Sequence, residues 1–272
     1  MRRGMHLAWP DAKKALQWGA FFVVWAMVAS VQAELCRQQP DTLLEVKVSR
    51  VVDGDTLQLQ DATRVRLIGL DTPEIGRDGK PSQPWAQAAK RRLQSLVDGG
   101  EQFYLLPGEQ ARDRYGRLLA HAFDAQGDNI EARLLQEGLG FAVFMPPNAT
   151  LADCHMHAEQ RARSERLGLW SGSPVRQARQ VDAGGFALVR GRINKVERTR
   201  DWLWLELDGP LVLRIATAEL ASWPALQWHG LDVEVRGWVI DRGANVARKG
   251  RKRYMLTLTH PLMLEVLMGA DQ

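Results

Sequence analysis

From residue 45 onwards, apolar and polar positions alternate with the two-residue period of half-buried strands. Leu57 and Leu59, for example, share one parity, and Gln58 and Gln60 share the other. The triplet D-A-T, just before Arg64, predicts a tight hairpin turn between two of these segments. The pattern predicts five strands before residue 125, at residues 45–52, 55–60, 63–70, 102–106 and 118–124.

Three other segments carry apolar residues at the spacing of an amphipathic helix. The first covers residues 84–96, begins with a proline and stops before Gly99-Gly100. The second is capped by Asn129 and ends at Gly138, and the third covers residues 151–166. Short strands interleaved with helices are typical of a small closed barrel with helices packed on it, so we expect the OB-type fold.

Residues 171–185 are rich in Ser, Gly, Pro, Arg and Gln, which predicts a linker. Beyond it, a short helical stretch near residues 218–228 and five more strands predict a second small OB-like β-barrel. Those strands cover residues 187–196, 202–207, 211–215, 231–239 and 254–259. The predicted fold class is mainly β with α: a five-stranded OB-fold barrel plus three helices at 34–173, a linker at 174–185 and an accessory β-barrel at 186–272.

The first 33 residues have the pattern of an export signal. Basic residues at positions 2, 3, 13 and 14 precede an apolar run at residues 16–31, and Val31-Gln32-Ala33 ends in the small residue that a signal peptidase prefers. The apolar run is shorter than a comfortable membrane span. We therefore expect a periplasmic or secreted protein. The alternative is an uncleaved segment that anchors the protein to the outer face of the inner membrane.

Removal of such a signal lowers the net charge of the protein. The formal net charge of +4 divides into +3 for residues 1–33, −3 for residues 34–173 and +4 for residues 174–272, so the mature protein is close to neutral. This balance argues against a strongly basic protein that coats nucleic acid. In an oxidising compartment the two cysteines, Cys36 and Cys154, are expected to form a disulfide, with two unrelated thiols as the alternative.

One predicted strand carries a charge on its apolar side. Asp55 shares the parity of the leucines that follow it, and Asp53 stands two residues before it. A carboxylate that points towards a core is costly unless a positive group meets it. Arg66, inside the next apolar strand, is the candidate partner. Asp71 ends that strand and Arg117 begins another, and a small barrel would bring such strand ends together.

Carboxylates and arginines in this arrangement suit the hydrolysis of a phosphodiester. A hard cation such as Ca²⁺ binds carboxylate and carbonyl oxygens, which Asp55, Asp71 and the Thr72 carbonyl can supply. Such an ion polarises a phosphoryl oxygen and holds a water molecule. These three residues therefore predict a site for a hard cation such as Ca²⁺.

The remaining groups suit the phosphate and the attacking water. Arg66 and Arg117 can hydrogen-bond a phosphate in forks and stabilise the charge that develops on its oxygens. Glu74 is left to orient or deprotonate the water. We therefore interpret Arg66, Glu74 and Arg117 as the candidate catalytic residues.

These residues resemble the staphylococcal nuclease (thermonuclease) family over about residues 47–170. The motifs that carry the resemblance occur in the family's order: D-G-D-T, R-L-I-G-L-D-T-P-E, D-R-Y-G-R, E-G-L, P-N and L-G-L-W. The resemblance implies an OB-fold barrel with three helices, an endonuclease that uses Ca²⁺ to cut DNA and RNA and leaves 3′-phosphate ends. By matching positions it implies the roles given above, and it adds Asp53 and Tyr115 as supporting residues.

Two departures from the family concern the contacts with substrate. Residues 75–84 form a shorter loop than the lysine-rich one that the family often carries. Val143 and Met145 stand where the family often places tyrosines that contact the nucleotide. The expected partners are single-stranded or denatured DNA and RNA, bound by a monomer without a nucleotide cofactor. The alternative is a non-catalytic protein that binds nucleic acid or protein on a nuclease-like barrel.

Two further segments invite a binding interpretation. Residues 247–254 predict a long basic hairpin tip, which either holds a nucleic-acid backbone or is a solvated loop. Its candidate nucleic-acid-binding residues are Arg248, Lys249, Arg251, Lys252 and Arg253. In Cys154-His155-Met156-His157, the side chains of Cys154 and His157 could share a helical face as metal ligands, but two more ligands are missing. A solvated helix face is the favoured interpretation. His121 is expected to stand alone in its strand.

Overall fold

The computed structural model describes residues 36–99, 102–248 and 250–267, so the predicted export signal lies outside the described residues. The strands of its first half are β1 (Leu44–Val46), β2 (Val48–Asp53), β3 (Thr56–Leu59), β4 (Arg64–Leu67), β5 (Leu70–Asp71), β6 (Phe103–Arg112), β7 (Leu118–Asp124) and β8 (Phe141–Ala142). Six of them form a curled sheet in the order β1-β6-β7-β4-β3-β2, and β5 pairs with β8. The five predicted strands are all present, the first divided at Lys47 and the third at the turn before β5.

Strand β6 is longer than the sequence predicts, because it continues to Arg112 instead of ending near residue 106. Its register with β7 shifts between Pro107 and Arg112. Along this stretch the Asn148 side chain acts as a strand partner. Its Oδ1 accepts the N–H of Gln110 at 2.9 Å, and its Nδ2 donates to the carbonyl of Gln110 at 2.9 Å. A partner that far along the chain leaves no local pattern, so the prediction ended too early.

Three helices accompany this sheet close to their predicted positions: α1 (Ala86–Asp98), α2 (Ile130–Gln136) and α3 (Ala152–Glu165). Helix α1 buries Ala86, Ala89 and Leu93, which recur at helical spacing. Asn129 caps α2, because its Oδ1 accepts the N–H of Ala132 at 2.8 Å. The first half is thus an OB-like barrel with three helices. No helix in the described part of the chain is long and apolar enough to cross a membrane.

The second half is a closed β-barrel. Its strands are β9 (Val175–Gln177), β10 (Gly185–Arg198), β11 (Trp202–Leu207), β12 (Leu211–Ala216), β13 (Asp232–Asp241), β14 (Tyr254–Leu258) and β15 (Leu264–Val266). Strands β10, β11, β12, β14 and β13 pair in that order, and β13 pairs again with β10, which closes the ring. These are the five strands that the sequence predicts for the accessory barrel.

Three segments of the second half differ from the predictions. The segment predicted as a linker contains β9, which pairs in parallel with β10, and it buries Ala178 and Val181, so it is part of the second sheet. The helix predicted near residues 218–228 is a 3₁₀ helix at Thr217–Ser222, because Pro224 forces the residue before it into an extended conformation. A short helix, α4 (Ala244–Arg248), leads into the basic hairpin tip.

Residues Gln38–Gln272 form one compact unit, and ion pairs join its two barrels. Glu159 of α3 lies 2.5 Å from Nη1 of Arg236, which is on β13. The same Arg236 nitrogen donates to the carbonyl of Ala142 at 3.2 Å, and the N–H of Ala142 donates to Glu159 at 2.8 Å. Arg236 and Glu159 are both buried. The two charges therefore meet inside the contact between the barrels and close a ring of hydrogen bonds on β8.

A second ion pair and an aromatic contact flank that ring. Glu234 of β13 accepts two hydrogen bonds from Arg163 of α3, at 2.6 and 2.7 Å, and one from Arg190 at 2.8 Å. The Phe141 ring of β8 stacks on the Phe186 ring of β10, with centroids 5.6 Å apart. Both contacts join the α3–β8 side of the first barrel to the β10–β13 side of the second.

Both cysteines are disulfide-bonded, and none of the described cysteines is free. The sequence favoured this state over two unrelated thiols. Because its sulfur is in a disulfide, Cys154 is not a metal ligand.

We expect the substitution Arg236→Met to lower the free energy of unfolding by about 3–5 kcal/mol, because it leaves the Glu159 carboxylate buried without its partner. The double variant Arg236→Met/Glu159→Gln should recover part of this loss, since the amide keeps an acceptor for the Ala142 N–H and carries no charge. The matched control is Arg190→Met, whose half-exposed guanidinium shares Glu234 with Arg163 and which should cost about 1 kcal/mol or less.

Urea-induced unfolding, followed by tryptophan fluorescence, measures these differences. If Arg236→Met and Arg190→Met lowered the free energy of unfolding equally, the buried Arg236–Glu159 pair would stabilise the protein no more than the half-exposed Arg190 does.

Candidate active site

Asp55 is a buried carboxylate, only 6% exposed, at the turn that leads from β2 into β3. Its Oδ2 accepts hydrogen bonds from the backbone N–H of Thr72 at 2.9 Å and from the Thr72 hydroxyl at 3.0 Å. Its Oδ1 accepts the Thr56 hydroxyl at 3.1 Å. Gly54 permits this approach, since a Cβ there would come within 2.6 Å of the Thr72 hydroxyl. The carboxylate is therefore fixed against the segment that follows β5.

Arg66 is the positive group that meets this carboxylate. Its Nη1 lies 3.1 Å from Oδ2 of Asp55, and its Nη2 lies 3.0 Å from Oδ1 of Asp71. Nη1 also donates to the carbonyls of Leu67 and Leu70, at 3.0 and 2.7 Å. One guanidinium thus holds two carboxylates and the backbone between them. The structure brings together the first arginine and the two acids that the sequence singled out.

The acids around Arg66 carry more negative charge than one arginine balances. Burial and repulsion from Asp55 raise the pKa of Asp53 to about 6. Burial raises the pKa of Asp71 to about 6 as well; Arg66 opposes this rise, and Asp55, Glu74 and Asp53 add to it. Such a cluster is typical of a site that binds a cation.

The donors in this cluster fit a hard cation. Asp55 and Asp71 offer carboxylate oxygens and Thr72 offers a backbone carbonyl, and oxygen donors of these kinds are the ligands that Ca²⁺ takes in proteins. Asp53 stands beside them, with one of its oxygens 3.3 Å from the N–H of Asp55 and the other 3.8 Å from Nη2 of Arg77. The residues present therefore fit the cation that the sequence predicts.

Glu74 lies on the loop after β5 with its side chain exposed to solvent. Two hydrogen bonds to Gln83 fix its backbone: the Glu74 N–H donates to the Gln83 side chain at 2.9 Å, and the Gln83 N–H donates to the Glu74 carbonyl at 3.0 Å. Its charge is one of those that raise the pKa of Asp71. The carboxylate is accessible and lies near the acid cluster, as a group that activates water must be.

Arg117 is placed by the turn between β6 and β7. Its Nε donates to Asp113 at 2.7 Å, and the backbone N–H donates to the other oxygen of Asp113 at 3.0 Å. Tyr115, in the same turn, is largely exposed, and its ring centroid lies 5.7 Å from the Arg117 guanidinium. Arg117 and Arg66 line the same cavity, of about 540 Å³, so the structure places the two predicted phosphate arginines on one surface.

A second cavity, of about 520 Å³, lies on the other side of that turn. Arg64, Arg112 and Arg117 line it, and Tyr115 and Arg117 belong to both cavities. The two cavities therefore share the turn that carries Arg117, and arginines line both of them. Phosphate groups are suitable ligands for cavities lined in this way.

His121, Glu131 and His155 form a buried cluster that the sequence analysis missed. Their potential ligand atoms lie within 4.8 Å of one another, and the two imidazole rings are 5.4 Å apart, so His121 does not stand alone. The three residues come from β7, α2 and α3, and no sequence spacing relates them. The structure also corrects the solvated face predicted for Cys154-His155-Met156-His157, since Cys154 and His155 are buried and, of the four residues, only His157 is exposed.

This cluster does not suit the predicted cation. Glu131 already accepts the N–H of Ala122 at 3.0 Å and the Asn129 amide at 2.7 Å, and His155 Nε2 lies 3.0 Å from Oδ1 of Asn129. Burial holds the pKa of His155 well below its usual value, so that imidazole is neutral. Imidazole nitrogens are ligands for zinc and other transition metals, whereas Ca²⁺ takes oxygens. The donors of the oxygen-rich cluster around Arg66 therefore suit Ca²⁺ better than this cluster does.

Most of the basic hairpin tip is engaged within its own barrel. Arg253 forms two hydrogen bonds with Asp241, at 2.9 and 2.6 Å, and Lys252 donates to the carbonyls of Leu207 and Gly209 at 3.2 and 2.7 Å. The Arg248 guanidinium donates to Asn245 at 3.1 Å, Arg251 is exposed, and Lys249 lies outside the described residues. A role of this tip in nucleic-acid binding stays a prediction.

Known proteins resemble the first half of the chain. A family profile described as "Staphylococcal nuclease homologue" matches residues 64–172. The thermonuclease of Staphylococcus intermedius is 36% identical over 128 residues, which cover 45% of this chain and 74% of that protein. Two proteins of Bacillus subtilis (strain 168), the SPbeta prophage-derived endonuclease YokF and the endonuclease YncB, are 35% and 34% identical over 47% and 48% of this chain. The matched segments span 45% of YokF and 64% of YncB, so these relatives are similar over part of their length.

The raised pKa values of Asp53 and Asp71 predict a cation effect that depends on pH. Between about pH 4 and pH 6 the folded protein keeps protons that the unfolded chain has released, so the stability of the cation-free protein falls as the pH rises through this range. Above about pH 6 both groups are ionised, and added Ca²⁺ should raise the Tm. At about pH 5 protons compete with the cation, and the rise should be much smaller.

Differential scanning fluorimetry with Ca²⁺ or chelator, at about pH 5 and pH 7.5, measures this effect, because 1 kcal/mol shifts Tm by roughly 2–4 °C in a chain of this size. Asp71→Asn should lose the rise at pH 7.5, and Asp78→Asn, which changes an exposed acid of the neighbouring loop, should keep it. A rise that Asp71→Asn retains would place the cation elsewhere.

Proposed function

Because the chain belongs to the staphylococcal nuclease family, we propose that it is an exported, calcium-dependent endonuclease that cuts single-stranded or denatured DNA and RNA. Membership of this family makes a nuclease the general assignment. The products we propose are 3′-phosphate ends, and the active form we propose is a monomer. The observation that carries the proposal is the Arg66 cluster, in which Asp55 and Asp71 meet beside the exposed Glu74.

In this mechanism Asp55, Asp71 and the Thr72 carbonyl hold the cation. When bound, Ca²⁺ supplies a positive charge that polarises the scissile phosphate. Arg117 contacts the phosphate from the other side of the cavity. The hydrogen bonds found for Arg117 among the described residues use Nε and the backbone N–H, which leaves the two Nη groups as donors for phosphate oxygens. Arg66 adds its positive charge to the same surface, and it also keeps the two carboxylates in place.

Glu74 takes the proton of the attacking water. The water oxygen forms a new bond to phosphorus, and the bond from phosphorus to the 5′ oxygen breaks. The 5′ oxygen leaves with the bonding electron pair and takes a proton from solvent, so the products are a 3′-phosphate and a 5′-hydroxyl. Negative charge develops on the phosphate oxygens as this happens, and Arg66 and Arg117 offset it. The exposure of Glu74 and its fixed backbone support this role.

We expect Glu74→Gln to lower kcat by about 10²–10⁴-fold while Kd for a single-stranded oligonucleotide changes little, because the amide keeps the shape of the side chain but cannot accept the proton. Cleavage of labelled single-stranded DNA and of RNA, with Ca²⁺ and with chelator, measures kcat. The matched control is Glu45→Gln, which changes an exposed carboxylate on β1 and should leave kcat unchanged.

Full activity in Glu74→Gln would remove this residue from the mechanism. Binding without cleavage by the unaltered protein, under any hard cation, would favour the alternative in which the barrel is a non-catalytic binding module.

We also propose that the protein is exported to the periplasm or secreted. The charge and apolar pattern of residues 1–33 and the disulfide-bonded state of both cysteines support this location. N-terminal sequencing of the protein recovered outside the cytoplasm should give Glu34 as the first residue. Recovery of Met1 in the membrane fraction would instead indicate the anchored form.

A further inference from the structure

Strand β13 turns one of its faces towards the first barrel. Side chains two apart on a strand lie on the same side, about 6–7 Å from each other. Glu234 and Arg236 use this face to pair with Arg163 and Glu159 of α3. Trp238 is next on the same face, and it lines the 540 Å³ cavity that also contains Arg66 and Arg117. The two ion pairs therefore fix the register that brings a tryptophan of the second barrel to the cavity of the two phosphate arginines.

Exposed apolar side chains concentrate at this cavity. Trp238 is 40% exposed, Tyr115 is 69% exposed and Met145 is 59% exposed, and all three line it. They make up three of the eight large hydrophobic residues that are exposed in the described part of the chain. A cluster of this kind, next to two arginines, is typical of a site for a ligand with both a flat apolar part and a negative charge.

Trp238 is the ring of this cavity that is best placed to stack on a ligand. Only Tyr115 and Trp238 among the described lining residues are aromatic. The ring of Tyr115 already lies 4.7 Å from the Arg114 guanidinium and 5.7 Å from that of Arg117. Val143 and Met145 offer aliphatic surface. The indole of Trp238 is thus the large aromatic surface without a cation over it among the described contacts.

The position of Trp238 is rigid. Its ring packs edge-on against Phe186, with centroids 5.3 Å apart and planes at 65°. Phe186 stacks on Phe141, and Phe141 pairs in register with Asp71 across β8 and β5. A chain of aromatic contacts therefore connects the indole to the strand that carries a candidate calcium ligand. A ring held in this way loses little entropy when a ligand stacks on it.

We propose that Trp238 of the second barrel is a base-stacking residue that determines specificity for unpaired nucleotides next to the scissile phosphate. This inference rests on the proposed function. A base can lie against the indole only when it is not stacked in a duplex, so the substrate class is single-stranded DNA or RNA. Any base can stack on an aromatic ring, so this contact distinguishes single-stranded from double-stranded nucleic acid more than it distinguishes one sequence from another.

Fluorescence anisotropy of a labelled single-stranded oligonucleotide, with Ca²⁺ and in a Glu74→Gln background that does not consume it, tests the proposal. Trp238→Ala should raise Kd by roughly 10- to 100-fold, and Trp238→Phe, which keeps a ring, should restore most of the affinity. The matched control is Ile240→Ala, which removes the next exposed apolar side chain on the same face of β13 and should leave Kd unchanged. With the catalytic Glu74 present, Trp238→Ala should raise KM and leave kcat nearly unaltered.

An oligonucleotide with one abasic position at the cleavage site separates stacking from a general loss of structure. The unaltered protein and Trp238→Ala should bind the abasic strand about equally, because neither can stack there. A photo-crosslink from a 5-iodouracil oligonucleotide to Trp238, mapped by peptide mass, needs no substitution of the tryptophan.

Unchanged Kd in Trp238→Ala, or a crosslink confined to other residues, would overturn the inference even if the protein cleaves its substrate. Binding that depends on Trp238 in a protein that never cleaves would support the inference and contradict the proposed function. Absence of any oligonucleotide binding would overturn both.

Discussion

The contact of Arg66 with Asp55 and Asp71 is the constraint on which the site depends. Burial of a carboxylate such as Asp55 is costly, and here a guanidinium 3.1 Å away and donors from Thr72 offset that cost. The same guanidinium donates hydrogen bonds to the carbonyl of Leu67, at the end of β4, and to that of Leu70, at the start of β5. It thereby fixes the path of the chain from the strand that carries the arginine to the strand that carries Asp71. Loss of its charge would leave both carboxylates without an ion pair.

Hydrogen bonds to the backbone of β8 connect the second barrel to the strand that carries Asp71. Arg236 and Glu159 bond the carbonyl and the N–H of Ala142 on β8, and β8 pairs with β5, where Phe141 is opposite Asp71. The contacts of Arg236 with β8, and of β8 with β5, thus connect a strand of the second barrel with an acid of the site. For this reason we regard the second barrel as part of the scaffold of the site. An independent appendage would have no need of a buried ion pair at its contact, since exposed charges on a flexible tether cost far less.

The strands and helices are predicted where they follow the local rules of periodicity, whereas the site residues are predicted where such a rule is broken. Asp55 on an apolar parity and Arg66 inside an apolar strand stand out because sterics and burial do not explain them, and the structure pairs them. The cluster of His121, Glu131 and His155 breaks no local rule, because each residue is unremarkable in its own element and only the fold brings the three together. The extension of β6 is not predicted for the same reason, since its partner Asn148 lies beyond three further elements. Residues that meet between the two barrels, such as Arg236 and Glu159, are likewise not predicted by periodicity.

The charge balance of the site constrains the order in which its ligands bind. One guanidinium pairs with two carboxylates, while Asp53 and Glu74 add further negative charge. Burial, together with the repulsion among these acids, raises the pKa values of Asp53 and Asp71 to about 6. A phosphodiester is also an anion, so without a cation it would approach a surface that repels it. A bound cation removes that repulsion and turns the acids into a site for phosphate. On the proposed function, then, the arginines and Trp238 hold the strand along the cavity, and the acid cluster admits the scissile phosphate after the cation has bound. On this proposal, residues of both barrels contribute affinity for the strand, whereas the groups that cut it all lie in the first barrel.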